Sequence, residues 1–573
     1  MRRATVLGPL LALLVAGCAA IPTSGPVREV ADDAGLGQST VRYSPALPAE
    51  GAAPADIVRG FLDAMLAYPS STRTASAFLS PSAAEEWRPQ AGVTVYSGAE
   101  LVVLGNRPRT SADGPEDVQT IPVTIDEDGR LDPRGTFSPG RGGRTVSYRL
   151  VQIDGQWRID DPQAGLMVTQ KFFDDYFRPF NLYFFDAPAA RLAATPVHLP
   201  VDDRLAAALV SGLARGTDVR GLRTFVPPVD ALRPTVPVDG GIAEVGFSDD
   251  EPSGDSEPDV DRLSAQLVWT LRQVPGLEGV RIGLGPDTLT PTGAGIQPLT
   301  AWQEYGPADR SRGYALVNDK VVQLSDDAVA PIAGPWGDDA QGAVGVALTA
   351  RSVALLRPGR AAVRVAPRTG SAGVQVTGTE FLDPIADSSG RFWLVDRPNG
   401  GVRVRVVVDD DVRVVDTSAL GRRDLRALDV SPDGSRVVLT TGAGAAARIL
   451  VAPIVRDRDD VEVAIGRPTR VSVDAAAPRS AVWSDAVRVG FLAGGESAPQ
   501  VHTAIIDGSA TTGGATGGRA VLPEVDGVRL AMGDAPDLAT YVLARNAELW
   551  HLGSSGTWRK VGVDAASSVG FGP

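Results

Sequence analysis

The chain of 573 residues has one cysteine, three histidines and only three lysines, Lys171, Lys320 and Lys560. A single cysteine excludes a disulfide framework within the chain. With His198, His502 and His551 scattered along it, no Cys/His metal spacing exists either. No apolar run reaches the ~18 residues that a membrane-spanning helix requires. Positive charge is also short: 55 basic against 69 acidic residues give a net charge of −14. That sign argues against a nucleic-acid partner, which demands Lys/Arg patches. No Gly-x-Ser-x-Gly elbow and no phosphate loop ending in Gly-Lys-Ser/Thr occurs. The chain therefore reads as a non-enzyme without cofactor, metal or catalytic residues. The abundance of arginine over lysine, with much Ala, Gly and Val, reads as codon usage of a high-GC genome.

What is present begins at the one cysteine. Met1-Arg2-Arg3 is a short positive segment, Val6 to Val15 an apolar one, and Val15-Ala16-Gly17-Cys18 follows. This order is that of a secretory signal. An apolar residue, two small ones and Cys resemble a bacterial lipobox. The resemblance implies cleavage after residue 17 and lipidation of Cys18, with stable attachment because lipoproteins carry more than one acyl chain. The expected location is the extracytoplasmic face of the cell membrane. Residues 18–50 then form the lipidated end and a flexible linker, rich in Pro, Gly, Ser and Ala. Thirty-odd coil residues span ~30 Å, enough to hold the body off the bilayer.

Hydrophobic residues are 43% of the chain and charged ones 22%, enough for several cores at ~100–200 residues per domain. Residues 51–186 are expected to be a small α+β domain. Ile57, Val58, Phe61, Leu62, Met65 and Leu66 recur at helical spacing, with Asp56 as the expected N-cap and Pro69 as a stop. A second helix is expected within 71–87. Strands are expected at 93–96, 100–104, 120–125, 145–153 and 157–159, the last two joined by Asp154-Gly155, a hairpin signal. The outline is similar to cystatin-like or nuclear-transport-factor-like folds. Eight aromatic residues between Phe172 and Phe185 are either a binding surface or, the preferred reading, the packing seam between two domains.

Residues 187–300 follow a β-α-β-β-α-β plan. Strands are expected at 197–200, 224–226, 242–247 and 280–284, and helices over Leu205–Leu213, capped at Asp202/Asp203, and Val260–Leu271. The helix ending Val210-Ser211-Gly212-Leu213, the strand around Phe247 and the helix carrying Gln266–Leu271 resemble the GerMN domain of extracytoplasmic lipoproteins. Seven carboxylates lie within Asp249–Asp261. Their alternation is like a calcium loop, but Val260 stands where such a loop needs glycine, so a solvated loop is the preferred reading.

Residues 301–573 repeat a plan: short apolar strand, polar turn, apolar strand. Anchored on Thr349, Asp387, Ser431, Ser484 and Asp534, the spacings are 38, 44, 53 and 50 residues. Such periods with all-strand content predict a β-propeller, here of five or six blades. Ser431-Pro432-Asp433-Gly434 is the clearest turn.

The lipobox at Cys18, the Ile21-Pro22-Thr23-Ser24-Gly25-Pro26 stretch after it, the α+β region, the GerMN-like region and the terminal propeller together resemble the LpqB family of actinobacterial lipoproteins. The resemblance implies an accessory lipoprotein of the MtrA–MtrB two-component system. It would bind the extracytoplasmic part of the sensor kinase MtrB and influence cell-wall homeostasis and division. Two other classes stay open: an envelope assembly factor gripping client proteins with the propeller, and a receptor for a cell-wall glycan or small ligand. The residues that would bind a partner are unknown from sequence.

Overall fold

The computed structural model describes residues 45–573 apart from 69–70, 104–117, 229, 231, 233–234, 249–258, 286, 326–327, 461–462, 474, 495–498, 514–521, 534–539, 554, 564 and 573. Cys18 and most of the acidic loop at 249–261 therefore lie outside the described residues. Residues 43–573 form one compact unit.

Helix α1 (Pro54–Met65), with Ala53 at its N-cap, starts three residues earlier than the sequence suggests. Pro54 occupies its first turn, where a missing N–H costs nothing, so Asp56 is not the cap but lies in that turn and pairs with Arg59. The expected apolar stripe is buried: Ile57, Val58, Phe61, Leu62 and Met65. Two short helices follow, α2 (Arg73–Ser76) and α3 (Pro81–Glu86), the latter capped by the Ser80 hydroxyl. The stripe of α1 packs on a sheet ordered β4-β3-β2-β1-β5, built from β1 (Val93–Val103), β2 (Val118–Leu131), β3 (Phe137–Ile153), β4 (Gln156–Asp161) and β5 (Leu166–Thr169). Only the β1–β5 pairing is parallel. Asp154 and Gly155 both take positive φ (50° and 75°), the two-residue turn that matches the twist of a hairpin. β1 runs as one strand through the segment predicted at 93–96 and through residues 100–103 of the next.

Helix α4 (Gln170–Tyr176) leads into β6 (Phe177–Asp186), and here the aromatic run divides between two cores. Phe172, Phe173 and Phe177 join the first. Phe180, Tyr183, Phe184 and Phe185 join the second. The cluster is thus a packing seam. β6 pairs with β7 (Leu192–Pro200), and β8 (Leu222–Arg223) adds to β6, whereas 224–226 is not a strand. The Phe225 N–H instead bonds the Gln266 side chain and its ring lies edge-on to Phe185, which takes the segment out of the sheet.

Helix α5 (Leu205–Ala214) begins after Asp202, whose carboxylate accepts the Arg204 N–H. A second sheet contains β9 (Val238–Asp239), β10 (Ile242–Phe247), β11 (Gly279–Leu284), β12 (Asp287–Thr288) and β13 (Gln297–Pro298). β10 and β11 are parallel and joined through α6 (Val260–Leu271), whose N-cap is Asp259. Two small α+β regions thus precede the strand-rich half.

Among the described residues, 312–572 form six β-sheets of four strands, one of which has a fifth, two-residue strand at Thr469–Arg470. They are the blades of a propeller. The second strand of a blade is buried on both faces, as in Arg436–Thr441, because each face meets a neighbouring blade. That is why these strands read as unbroken apolar runs and not as alternations. Trp393 and Trp483, both with 0% exposure, fill seams between blades. The ring closes by pairing of Ala566–Gly572, the last strand, with Arg312–Val317, the first.

Candidate functional site

The repeat anchors occupy equivalent places. Thr349, Asp387, Ser431 and Ser484 each follow directly on a blade's inner strand. Their side chains, or that of the next residue, take up the N–H groups of the turn. Thr349 Oγ1 accepts from Ser352 N (2.9 Å), Asp387 Oδ1 from Ser389 N and Arg391 N, Ser431 Oγ from Ser435 N and Arg436 N, and Asp485 Oδ1 from Val487 N and Arg488 N. A short polar side chain here does the work of an Asx or ST turn. Asp534 lies outside the described residues.

One of these turns is also a docking point. All of residues 431–440 are buried. Asp433 Oδ1 accepts the hydroxyls of Ser431 (2.6 Å) and Ser435 (2.7 Å) and the Ser435 N–H. Its Oδ2 accepts the Ala194 N–H of β7 at 3.2 Å. In return Arg436 donates to the Ala194 carbonyl at 2.8 Å and to Thr195 Oγ1 at 3.3 Å. Burial pulls the Arg436 pKa down, and Asp433 opposes that fall. Arg191 donates to the Ser388 carbonyl of the neighbouring blade.

A second pin lies at His198. Its N–H bonds the Gly135 carbonyl at the β2–β3 turn (2.7 Å), and its ring lies 5.8 Å from that of Phe137 and 5.3 Å from that of Phe173. Its Nε2 is 3.1 Å from Asp507 Oδ2 of the propeller. All three parts of the chain therefore meet at one imidazole. His502 stacks on Phe491 and His551 on Tyr541, so the three histidines stand apart.

These contacts fall on one propeller face, the face of the turns that follow inner strands. Arg310, in the segment entering the propeller, lies on it too, donating to Asp429 Oδ2 (3.4 Å) and to the Val430 carbonyl (3.3 Å) at one end of the central channel. The channel carries a second cluster. Asp383 is held between Arg360 and Arg529, with Ser568 and Tyr314 nearby, and Arg426 lines the same channel, which continues to Arg310 and Asp429. Burial pushes the Tyr314 hydroxyl up to about 12. Burial alone would also raise the Asp383 carboxyl, but the two guanidinium groups outweigh it and hold Asp383 below the usual carboxylate range. Such a carboxylate contributes stability that is complete above its unfolded value of ~3.9 and is lost as pH falls through the lower folded value. The melting temperature of the wild-type chain is accordingly expected to fall more steeply below about pH 4 than that of Asp383→Asn. Parallel melting curves from neutral to strongly acid pH check this, and equal slopes would contradict it.

Among the described residues there is no group of three or more His, Cys, Asp and Glu able to hold a metal ion, and no helix long and apolar enough to cross a membrane. The sequence offered no partner-binding residues. The docking set of Asp433, Arg436, His198 and Asp507 was hidden in it, because its members are up to 309 residues apart.

Comparison with known families matches three models. "Lipoprotein LpqB, N-terminal domain" covers residues 47–174, "Sporulation and spore germination" covers 181–285, and "Lipoprotein LpqB beta-propeller domain" covers 319–567. The chain is similar to the lipoprotein LpqB of Thermobifida fusca, with 26% identity over 80% of this chain and 82% of that one. It is similar to the lipoprotein LpqB of Streptomyces avermitilis, with 25% identity over 99% of this chain and 98% of that one. Among solved structures, TolB from Acinetobacter baumannii aligns with a TM-score of 0.33 and 13% identity, over 56% of this chain and 89% of that one.

Proposed function

We propose that this chain, which belongs to the LpqB lipoprotein family, is an accessory regulator that acts by contact and not by chemistry. It is lipidated at Cys18, held at the extracytoplasmic face of the membrane, and binds the extracytoplasmic part of the sensor kinase MtrB, with consequences for cell-wall homeostasis and division. The observation that supports a contact role is the division of labour between one propeller face and the central channel. One face is taken up by the chain's own modules through Asp433, Arg436 and Asp507. Away from it, the central channel running from Arg310 and Asp429 carries Arg360, Asp383, Arg426 and Arg529.

A lipid anchor confines protein and kinase to the same surface, and that raises their effective concentration so that a weak contact suffices. Unequal affinity for two kinase conformations of 1–3 kcal/mol shifts their ratio ~5–150-fold. A net charge of −14 favours a basic or mixed partner patch, and rim contacts of that kind weaken with salt.

The test is phosphorylation of the cognate response regulator in a strain lacking the gene. Phosphorylation is expected to change, to be restored by the wild-type chain, and not to be restored by Cys18→Ala, which also loses labelling by a fatty-acid analogue. Equal labelling of wild type and variant would refute the anchor. Unchanged phosphorylation, with no kinase crosslinked to the protein in intact cells, would overturn the regulator and favour an envelope assembly factor.

A further inference from the structure

We propose that the cleft where the three parts of the chain meet binds an amphiphilic anion: one apolar chain with a single phosphate or carboxylate head. The cleft has a volume of about 480 Å³ and opens between the β2–β3 turn, the β6–β7 hairpin, the segment after α5 and two adjacent blades. Clefts of this size at domain junctions are the common setting of small-molecule sites.

Its floor and walls are largely apolar, with Leu182, Phe184 and Pro196 on one side and Val451, Pro453 and Ile506 on the other. Its charge is one-sided. Four arginines line it, Arg134, Arg220, Arg436 and Arg467, against two carboxylates, Asp218 and Asp507. Both carboxylates are engaged. Asp218 is ion-paired with Arg134, and Asp507 accepts from Ser509 N and faces His198 Nε2. Arg134 also bridges to Asp132, and Arg436 is tied to Ala194 and Thr195. Arg220 and Arg467 remain. Both are exposed, and among the described residues neither has a hydrogen-bond or ion-pair partner.

The lining therefore offers an apolar bed with two uncommitted guanidinium groups at its margin. That combination suits a ligand that buries a chain and leaves an anionic head at the rim, where guanidinium donors give strong charge-assisted bonds. A neutral lipid would leave the arginines unused, and a small inorganic anion would leave the apolar bed empty. The walls come from three modules, so an occupant would also brace them against one another. This inference stands apart from the kinase reading and does not depend on it.

The experiment uses the chain from Ala19 onward, the expected mature form without acyl groups, so that the apolar Val6–Val15 segment cannot itself take up amphiphile. Melting temperature is followed against decyl phosphate and decanoate below their micelle-forming concentrations, with decanol as the neutral arm. Both anions are expected to raise the melting temperature saturably, and decanol to do so far less. The double variant Arg220→Glu/Arg467→Glu should melt like the parent without ligand, since both side chains are exposed, and bind decyl phosphate about tenfold more weakly or worse. A diazirine-bearing decanoate should label peptides containing 216–220 or 451–469. An equal shift with decanol would overturn the anionic character. A shift unchanged by the double variant, or labelling confined to other peptides, would overturn the location. Absence of any saturable shift would overturn the site.

Discussion

Deleting residues 566–573 from the full chain is expected to abolish cooperative folding of the propeller. The strand Ala566–Gly572 pairs along Arg312–Val317, from Arg312 opposite Gly572 to Val317 opposite Ala566. It is the inner strand of the blade that opens the repeat half, so it joins the two ends of the ring. Its Val569 and Phe571 are buried in a seam with Ala315 and Val317 from the first strand and with Tyr541, Leu543 and Leu549 from the last blade. Burying a Val or Phe side chain is worth roughly 1.5–3 kcal/mol each, before the ladder bonds are counted. Set against a total stability of ~5–15 kcal/mol, loss of the strand consumes a large part of it. The deletion would also expose the backbone edge of Arg312–Val317, a template for aggregation. Circular dichroism melting should show no β-sheet transition at the parental temperature. A truncated chain that melts where the full chain does would show that the ring does not depend on this closure. Phe571→Ala is the graded version, at about 3–5 kcal/mol.

A propeller of five or six blades was legible in the sequence because a blade's logic is local, and the structure settles on six sheets. An inner strand, a turn with a hydroxyl or carboxylate, and an apolar second strand lie within a dozen residues, and neighbouring copies repeat them. The same holds for the stripe of α6 running from Val260 to Leu271 and for the turn at Asp154-Gly155, although the cap at Asp259 passed as one more carboxylate of the acidic loop. Legibility failed where partners are distant in sequence. Thr224–Val226 has the residues of a strand, yet Gln266 and Phe185 claim Phe225. Asp56 has the residue type of a cap, yet Pro54 sets the helix start. The docking function of Ser431–Arg436 was the largest omission. Ser-Pro-Asp-Gly reads as an exposed turn by composition, and nothing within the repeat announces that β7, some 240 residues earlier, lies on top of it. Arg436 opens its strand as Arg312 and Arg488 open theirs, and those two are exposed, so its burial had no local signal.

That junction carries the second large effect. Asp433→Ala is expected to destabilise the chain by about 3 kcal/mol or more and to loosen the attachment of the preceding modules to the propeller. The side chain of Asp433 is fully buried, as is nearly all of Arg436, so neither charge can fall back on water. Their separation of 3.9 Å makes the direct ion pair a loose one, and most of the coupling runs through β7. Asp433 receives the Ala194 N–H while Arg436 donates to the Ala194 carbonyl, so the two peptide groups flanking Ala194 are each held by one member of the pair. Removing the carboxylate strands the hydroxyls of Ser431 and Ser435, the Ala194 N–H and a buried guanidinium at once. Leaving a buried charge uncompensated costs more than the lost bonds themselves. Asp433→Asn keeps the shape and one acceptor, so it should lose less. The double change Asp433→Ala/Arg436→Met removes both charges, and its cost should be smaller than the sum of the two single changes, a coupling that a double-mutant cycle reads directly. Limited proteolysis gives the second readout: with Asp433→Ala, cleavage between the α+β modules and the propeller should precede unfolding of the ring. If Asp433→Ala melts and digests like the parent, the buried turn is a passive contact and the modules are held by His198, Asp507 and the apolar seam alone.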